Sequence, residues 1–116
     1  MFVRSAAQIE RALRACAEAG LPTHRLDVDL DTETGHVSVG TMHLAKGLEF
    51  RAVVVMACDD EVLPLQARID EIADPADLAP VYESERQLLY VAVTRARDRL
   101  FISAVAPASE FLLDFS

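Results

Sequence analysis

The run AVVVMA, residues 52–57, is apolar throughout and half of it is valine. An uninterrupted β-branched run of this length fits a strand covered on both faces, as in a parallel sheet. Working outward, HVSVGTMH (36–43) alternates Val37, Val39 and Thr41 against polar or small neighbours, a second strand pattern. FVR (2–4) reads as the tail of a short strand, HRLDVDL (24–30) alternates in places, and LFISAV (100–105) is a further strand. Helical spacing appears between them. Ser5 stands where it can cap AAQIERALRACAEAG, whose Ile9, Leu13, Cys16 and Ala17 share a face, and Gly20 with Pro22 supplies a stop. DTETG (31–35) reads as a turn. YESERQLLYVAVTRARDRL (82–100) predicts one long helix with Leu88, Leu89, Val91, Ala92 and Leu100 on its buried side. SEFLLDF (109–115) predicts a short terminal helix. Residues 59–82 are polar and proline-punctuated, a loop-rich surface segment with a short helix around 66–73 and a loop at ADPADLAP. Strands alternating with helices give an α/β domain with a mainly parallel sheet flanked by helices.

Composition narrows the class. At 116 residues the chain is expected to be a single domain, 1–116, with 52% hydrophobic and 26% charged residues, as in a folded globular protein. Its apolar runs fall short of the roughly 18 residues of a membrane span, and the first twenty residues carry no basic region followed by an apolar stretch. Cys16 and Cys58 have neither CxxC spacing nor a histidine at metal-site distance, so they read as buried free thiols of a cytoplasmic protein. A net charge of -8 argues against tight nucleic-acid binding by this chain alone at physiological salt. The acids crowd into 27–33, 59–61 and 70–85, whereas Arg86, Arg95, Arg97 and Arg99 gather toward the C-terminal end.

The chemistry-bearing residues concentrate in TMHLAKGLEF (41–50), which holds the one lysine of the chain. No GxxxxGK[ST] phosphate loop is present, so a complete ATPase centre is missing. CDDE (58–61) follows a strand, where a magnesium carboxylate could stand; without the phosphate loop it reads as solvated loop. No metal site and no Ser-His-Asp constellation is assigned. On spacing alone Arg95 is a solvent-facing helix arginine, Glu49 an exposed carboxylate and His43 a capping or core residue. Tyr90 reads as core packing, and His24 and His36 receive no role.

VSVGTMHLAKGLEFRAVVV (37–55) and ESERQLLYVAVTRARDRLFIS (83–103) together resemble motifs V and VI of the UvrD/Rep/PcrA-like superfamily 1 DNA helicases. Leu63-Pro64 sits where that family has an apolar residue and proline, and FVRSAAQIERALRACAEAGLP is similar to an earlier strand–helix segment. The resemblance implies a RecA-like, P-loop-NTPase-type domain, most of the second motor domain of a helicase that translocates on single-stranded DNA and unwinds duplexes using ATP. It implies Arg95 as the arginine finger, a role that needs a permanently charged fork. It implies Gly47, Glu49 and Lys46, with Arg95, as ATP-binding residues, and Thr41 and His43 as DNA-binding residues. Mg²⁺ ligands and the phosphate loop would come from the N-terminal RecA-like domain of the same parent, so the isolated chain is expected to be inactive. Arg86 and Gln87 stand where the family often has two basic residues; Gln87 keeps hydrogen bonding and loses the charge. Related motors, a helicase–nuclease subunit or an RNA polymerase remodeller, and a degenerate non-enzymatic interaction module are the competing readings.

Overall fold

Phe2 and Val3 make up the shortest strand, β1 (Phe2–Val3), and it lies at the centre of the sheet. The computed structural model describes residues 1–27 and 32–115. Among the described residues five strands run in the order β2-β3-β1-β4-β5, with β2 at Thr23–Arg25, β3 at Val37–Thr41, β4 at Phe50–Val55 and β5 at Ala96–Ile102. Each neighbouring pair is parallel. The part of HRLDVDL beyond Asp27, and Asp31 of the predicted turn, lie outside the described residues.

Helices cover both faces of this sheet. On one face α1 (Ile9–Glu18) buries Ile9, Ala12 and Cys16 against Val3 and Val39. On the other, α3 (Leu78–Val93) lays Leu89, Ala92 and Val93 against Phe2, Val53 and Val55. Phe2 and Val3 therefore point into different cores, which is why a strand of two residues can hold the centre. The expected α/β class with a parallel sheet is what the chain adopts.

Several local expectations need correction. Ser5 does not cap with its side chain; its carbonyl accepts from Gln8 N at 3.0 Å, closing a 3₁₀ turn at Ala6–Gln8 ahead of α1. Ala17 is exposed, and Ala12 takes its place in the apolar stripe. ADPADLAP is not all loop: Pro75–Asp77 is a 3₁₀ turn, and Leu78 begins α3, which admits Pro80 in its first turn. The short helix α2 spans Gln66–Asp70, and the C-terminal segment is a 3₁₀ helix at Glu110–Phe115.

The long helix ends earlier than its sequence suggests. Arg and Ala are good helix formers, but Thr94 donates its hydroxyl to the carbonyls of Tyr90 and Val91, and Ala96–Ile102 enters the sheet. Leu100 is thus a strand residue opposite Val53 and partly exposed, not part of the helix's buried side. A bulge separates the Phe50–Ala96 and Ala52–Arg99 pairs. Tyr90 is not core either; its hydroxyl donates to Asp114 at 2.9 Å and its ring meets Phe115 edge-on at the surface.

One polar cluster is sealed inside. Glu85, on the apolar stripe of α3, is fully buried. Its Oε1 accepts from Arg4 Nε at 2.8 Å and from Leu65 N at 2.7 Å, and its Oε2 from Arg4 Nη2 and Arg68 Nη1, each at 2.8 Å. Burial alone would raise the Glu85 carboxyl; the hydrogen bonds from Arg4, the Leu65 amide and Arg68 outweigh it and hold it below the ordinary glutamate value. A carboxyl lowered on folding stabilises above its unfolded value, and that contribution is lost as pH falls through the folded one. Glu85→Ala is expected to cost about 3–5 kcal/mol in urea unfolding, because Arg4 stays buried without its partner. Glu85→Gln should flatten the acid limb of stability against pH.

Candidate functional site

Residues 41–50 alternate anchors with presented groups. Thr41 closes β3, and Met42–Leu44 form a 3₁₀ turn whose Met42 is buried in the α3-side core. Ala45 is buried as well, Leu44 and Leu48 pack against the same core, and Ala45 N and Leu48 N continue the turn onto Met42 O and Ala45 O, both at 3.1 Å. His43, Lys46, Gly47 and Glu49 are left at the surface. Gly47 adopts φ +83, with nothing within 4 Å of where a Cβ would stand, so its requirement is backbone conformation rather than room.

The presented groups divide between two depressions. His43 and Lys46 line a groove of about 310 Å³ with Arg68, Ser84 and Gln87, floored by Leu88 and Val91. Glu49 lies in another cleft, of about 410 Å³, beside Met1, the 32–38 segment and Phe50. Thr41 is half-buried at the end of β3 and lines neither. The expected nucleotide residues are accordingly not all in one place, since Lys46 shares a groove with His43.

Arg95 follows directly on α3 and precedes β5. Its carbonyl accepts from Phe50 N at 2.9 Å, and its Nη1 donates to Leu48 O at 3.4 Å, so it stands against the Gly47–Glu49 backbone. Nε donates to Val91 O at 3.1 Å and Nη2 to Thr94 Oγ1 at 3.2 Å, folding the side chain over the helix end. Among the described residues it forms no salt bridge, and it is half-buried beyond the helix end rather than a solvent-facing helix arginine. Arg97 and Arg99 are exposed along β5, and Arg51 pairs with Asp98 at 3.5 Å. Arg86 stacks over Phe111 at 4.6 Å and reaches Asp114 at 3.1 Å, which ties the C-terminal turn to α3.

CDDE is less solvated than expected. Asp59 accepts from Arg11 Nη1 and from Val105 N, each at 2.7 Å, which joins α1 to the segment after β5. Cys16 and Cys58 are buried free thiols as expected, and burial pushes the Cys58 thiol up to about 12. Arg68 and Ser84 were not singled out in sequence. Their one signal is indirect: helical spacing back from Leu89 and Ala92 lands on Glu85, a charge in a core position that requires a cationic partner.

Comparison with known proteins identifies the family of the fold. The sequence model of the UvrD-like helicase C-terminal domain matches residues 7–106. The chain belongs to that family. It is 38% identical over 81 residues to the ATP-dependent DNA helicase UvrD1 of Mycobacterium leprae, which covers 70% of this chain and 10% of that protein. It is 40% identical over 78 residues to the ATP-dependent DNA helicase PcrA of Staphylococcus epidermidis, covering 66% and 10%. The chain thus spans about a tenth of the length of these curated relatives. Among solved structures, the C-terminal domain of a possible DNA helicase from Lactobacillus plantarum superposes with a TM-score of 0.64 at 29% identity, over 96% of this chain and 58% of that one. No helix among the described residues is long and apolar enough to cross a membrane.

In this UvrD-like domain, partial burial lowers the His43 pKa below 6.5, and the charges of Arg4 and Arg68 lower it further against the opposing pull of Glu85. The shift favours the neutral ring, so the stability it lends is present above 6.5 and lost as pH falls through its folded value. An NMR titration should put the His43 midpoint below 6.5, and Arg68→Gln should raise it. Gly47→Ala should cost about 1–2 kcal/mol in thermal or urea unfolding, through backbone strain alone.

Proposed function

We propose that this chain is most of the second motor domain of an ATP-dependent DNA helicase, and that it senses nucleotide at the amino ends of its strands and DNA at the carboxyl ends. The observation that carries the reading is the join between Arg95 and residues 47–50: Phe50 N to Arg95 O, and Arg95 Nη1 to Leu48 O. That join sets the Arg95 guanidinium on the carbonyl of Leu48, which lies in sequence between the positive-φ Gly47 and the exposed Glu49. ATP, bound in the cleft between this domain and the first motor domain, would supply phosphoryl transfer to water. Arg95 would hold the transferring phosphoryl charge as an arginine finger. Glu49 would accept from the ribose hydroxyls, and Gly47 would admit close backbone approach to the phosphates. Lys46 is a point charge suited to a phosphate, and its position beside His43 favours a DNA phosphate over that of ATP. Thr41 and His43 would contact the DNA backbone, the hydroxyl and the imidazole hydrogen-bonding to phosphate.

The phosphate loop and the Mg²⁺ carboxylates are assigned to the N-terminal RecA-like domain of the parent, since this chain carries no GxxxxGK[ST] sequence. The relatives are named as helicases, which favours this reading over a nuclease subunit, a polymerase remodeller or a non-enzymatic module. A cytoplasmic location is part of the same proposal.

Two outcomes test it. The purified 116-residue chain should hydrolyse no ATP with or without single-stranded DNA; turnover at a motor's rate would refute the division of labour. In a chain that also carries a first motor domain, Arg95→Ala should abolish hydrolysis while nucleotide binding stays largely intact. Unchanged turnover would remove Arg95 from the catalytic role.

A further inference from the structure

Where α3 gives way to β5, the backbone of Arg95 is fixed from both sides. Its N–H donates to Ala92 O at 3.2 Å, and its carbonyl accepts from Phe50 N at 2.9 Å. What remains free is the side chain, and arginine is among the residues that lose most freedom when ordered. Three hydrogen bonds order it: Nε to Val91 O at 3.1 Å, Nη1 to Leu48 O at 3.4 Å and Nη2 to Thr94 Oγ1 at 3.2 Å. No carboxylate pairs with it among the described residues. All three acceptors are uncharged, so the guanidinium keeps its full charge.

Thr94 supplies the one side-chain acceptor of the three; the others are main-chain carbonyls that no substitution removes. Its single hydroxyl proton is committed to the end of α3, where Tyr90 O lies at 2.9 Å and Val91 O at 3.1 Å. Lone pairs are therefore what the hydroxyl has left to offer, and Arg95 Nη2 takes one. Threonine is β-branched and stiff about χ1, so the oxygen stays where the helix end puts it. Capping uses only the donor side of this hydroxyl and leaves the bond from Nη2 unexplained. A guanidinium has one N–H on Nε and two on each terminal nitrogen. With one bond made from each nitrogen, one N–H remains on Nη1 and one on Nη2, a pair that two oxygens of a phosphoryl group can accept.

We propose that Thr94 is a positioning residue for Arg95: its hydroxyl, oriented by the last carbonyls of α3, holds the guanidinium so that its two unused N–H groups meet the γ-phosphoryl of a nucleoside triphosphate. The inference rests on the reading of Arg95 as an arginine finger. Thr94 acts through Arg95 and touches no phosphate itself. Donors already aimed where charge develops need no reordering at the moment of reaction, whereas a guanidinium that must first be ordered loses part of its hold on the transition state. Lysine at position 95 could not use the device, because its one nitrogen cannot make three separated contacts and still present a fork.

The test has a spectroscopic arm and a kinetic one. In the 116-residue chain, NMR of the arginine side chains should show slowed solvent exchange at Arg95 Nε–H; Thr94→Val should speed it severalfold, and Thr94→Ser should not. In a chain that also carries a first motor domain, Thr94→Val should lower kcat for ATP about ten- to a hundredfold with KM little changed, and Thr94→Ser should restore most of it. On an Arg95→Lys background, Thr94→Val should cost no further kcat, while the loss of the helix cap still lowers the urea midpoint. A purely structural role would instead lower kcat equally on both backgrounds. Should Thr94→Val not fold, Thr94→Ala deletes the same oxygen and carries the same expectation. A folded variant with unchanged Arg95 exchange, or with unchanged or raised kcat, overturns the positioning role. If Arg95→Ala is inactive in that case, the finger reading survives alone; if Arg95→Ala turns over normally, both fall.

Discussion

The Glu85 carboxylate, buried under two arginines and a backbone amide, is the constraint on which the arrangement of the domain depends. Arg4 lies just past the central strand, Leu65 and Arg68 belong to the segment after β4, and Glu85 stands in the middle of α3. Three parts of the chain far apart in sequence are fixed on one group of two oxygens. A bidentate guanidinium–carboxylate pair is directional in a way that apolar packing is not, so it sets register as well as proximity. Its contribution is mainly the avoidance of a penalty: with either member removed, the other is left charged and dry.

That fixed point also explains why residues 59–82 are ordered where their composition suggests a free loop. Leu63 and Pro64 are buried, the Leu65 amide is held by Glu85, and Arg68 is tied to α3. Residues 71–80, in contrast, touch little and are almost wholly exposed. Proline and acidic residues govern that stretch, and Asp74 accepts from Ala76 N at 3.0 Å to start the turn that leads into α3. Order follows the hydrogen bonds to Glu85 together with the burial of Leu63, and it stops where both end.

The strands were legible because their patterns are local. A run of valines can hardly be anything but a covered strand, and Val37, Val39 and Thr41 alternate as a pleat demands. The C-terminal end of α3 was misjudged for a physical reason. Arg, Ala and Leu favour a helix, and only the pairing of Ala96–Ile102 with β4, a long-range contact, overrides that preference. The site was legible in part: the motif residues marked His43, Lys46, Glu49 and Arg95, but their division between two depressions depends on how the chain crosses the sheet. Arg68 was invisible because its role comes from Glu85, and Glu85 read as one more acid in a crowded segment. The clue lay in periodicity, which sets Glu85 on the stripe of Leu89 and Ala92.

Sheet topology explains how a single short motif reaches both ends of the strands, as the two-ligand proposal requires. Both β3 and β4 run parallel to β1, and Phe2 is level with Gly40 on one side and Val55 on the other. After Thr41 the chain must therefore travel back the length of β4, about 20 Å, before Phe50 can begin that strand. It must also pass over β1 to do so. Residues 42–49 could reach about 28 Å if fully extended, and part of that reach is consumed by the 3₁₀ turn at Met42–Leu44. The connection has little slack, and Met42 and Ala45 pin it to the core along the way. Its first residues necessarily sit at the carboxyl ends of the strands and its last at the amino ends, where Arg95 meets Leu48. The crossover therefore joins, with little slack, the end proposed to face DNA to the end proposed to face nucleotide.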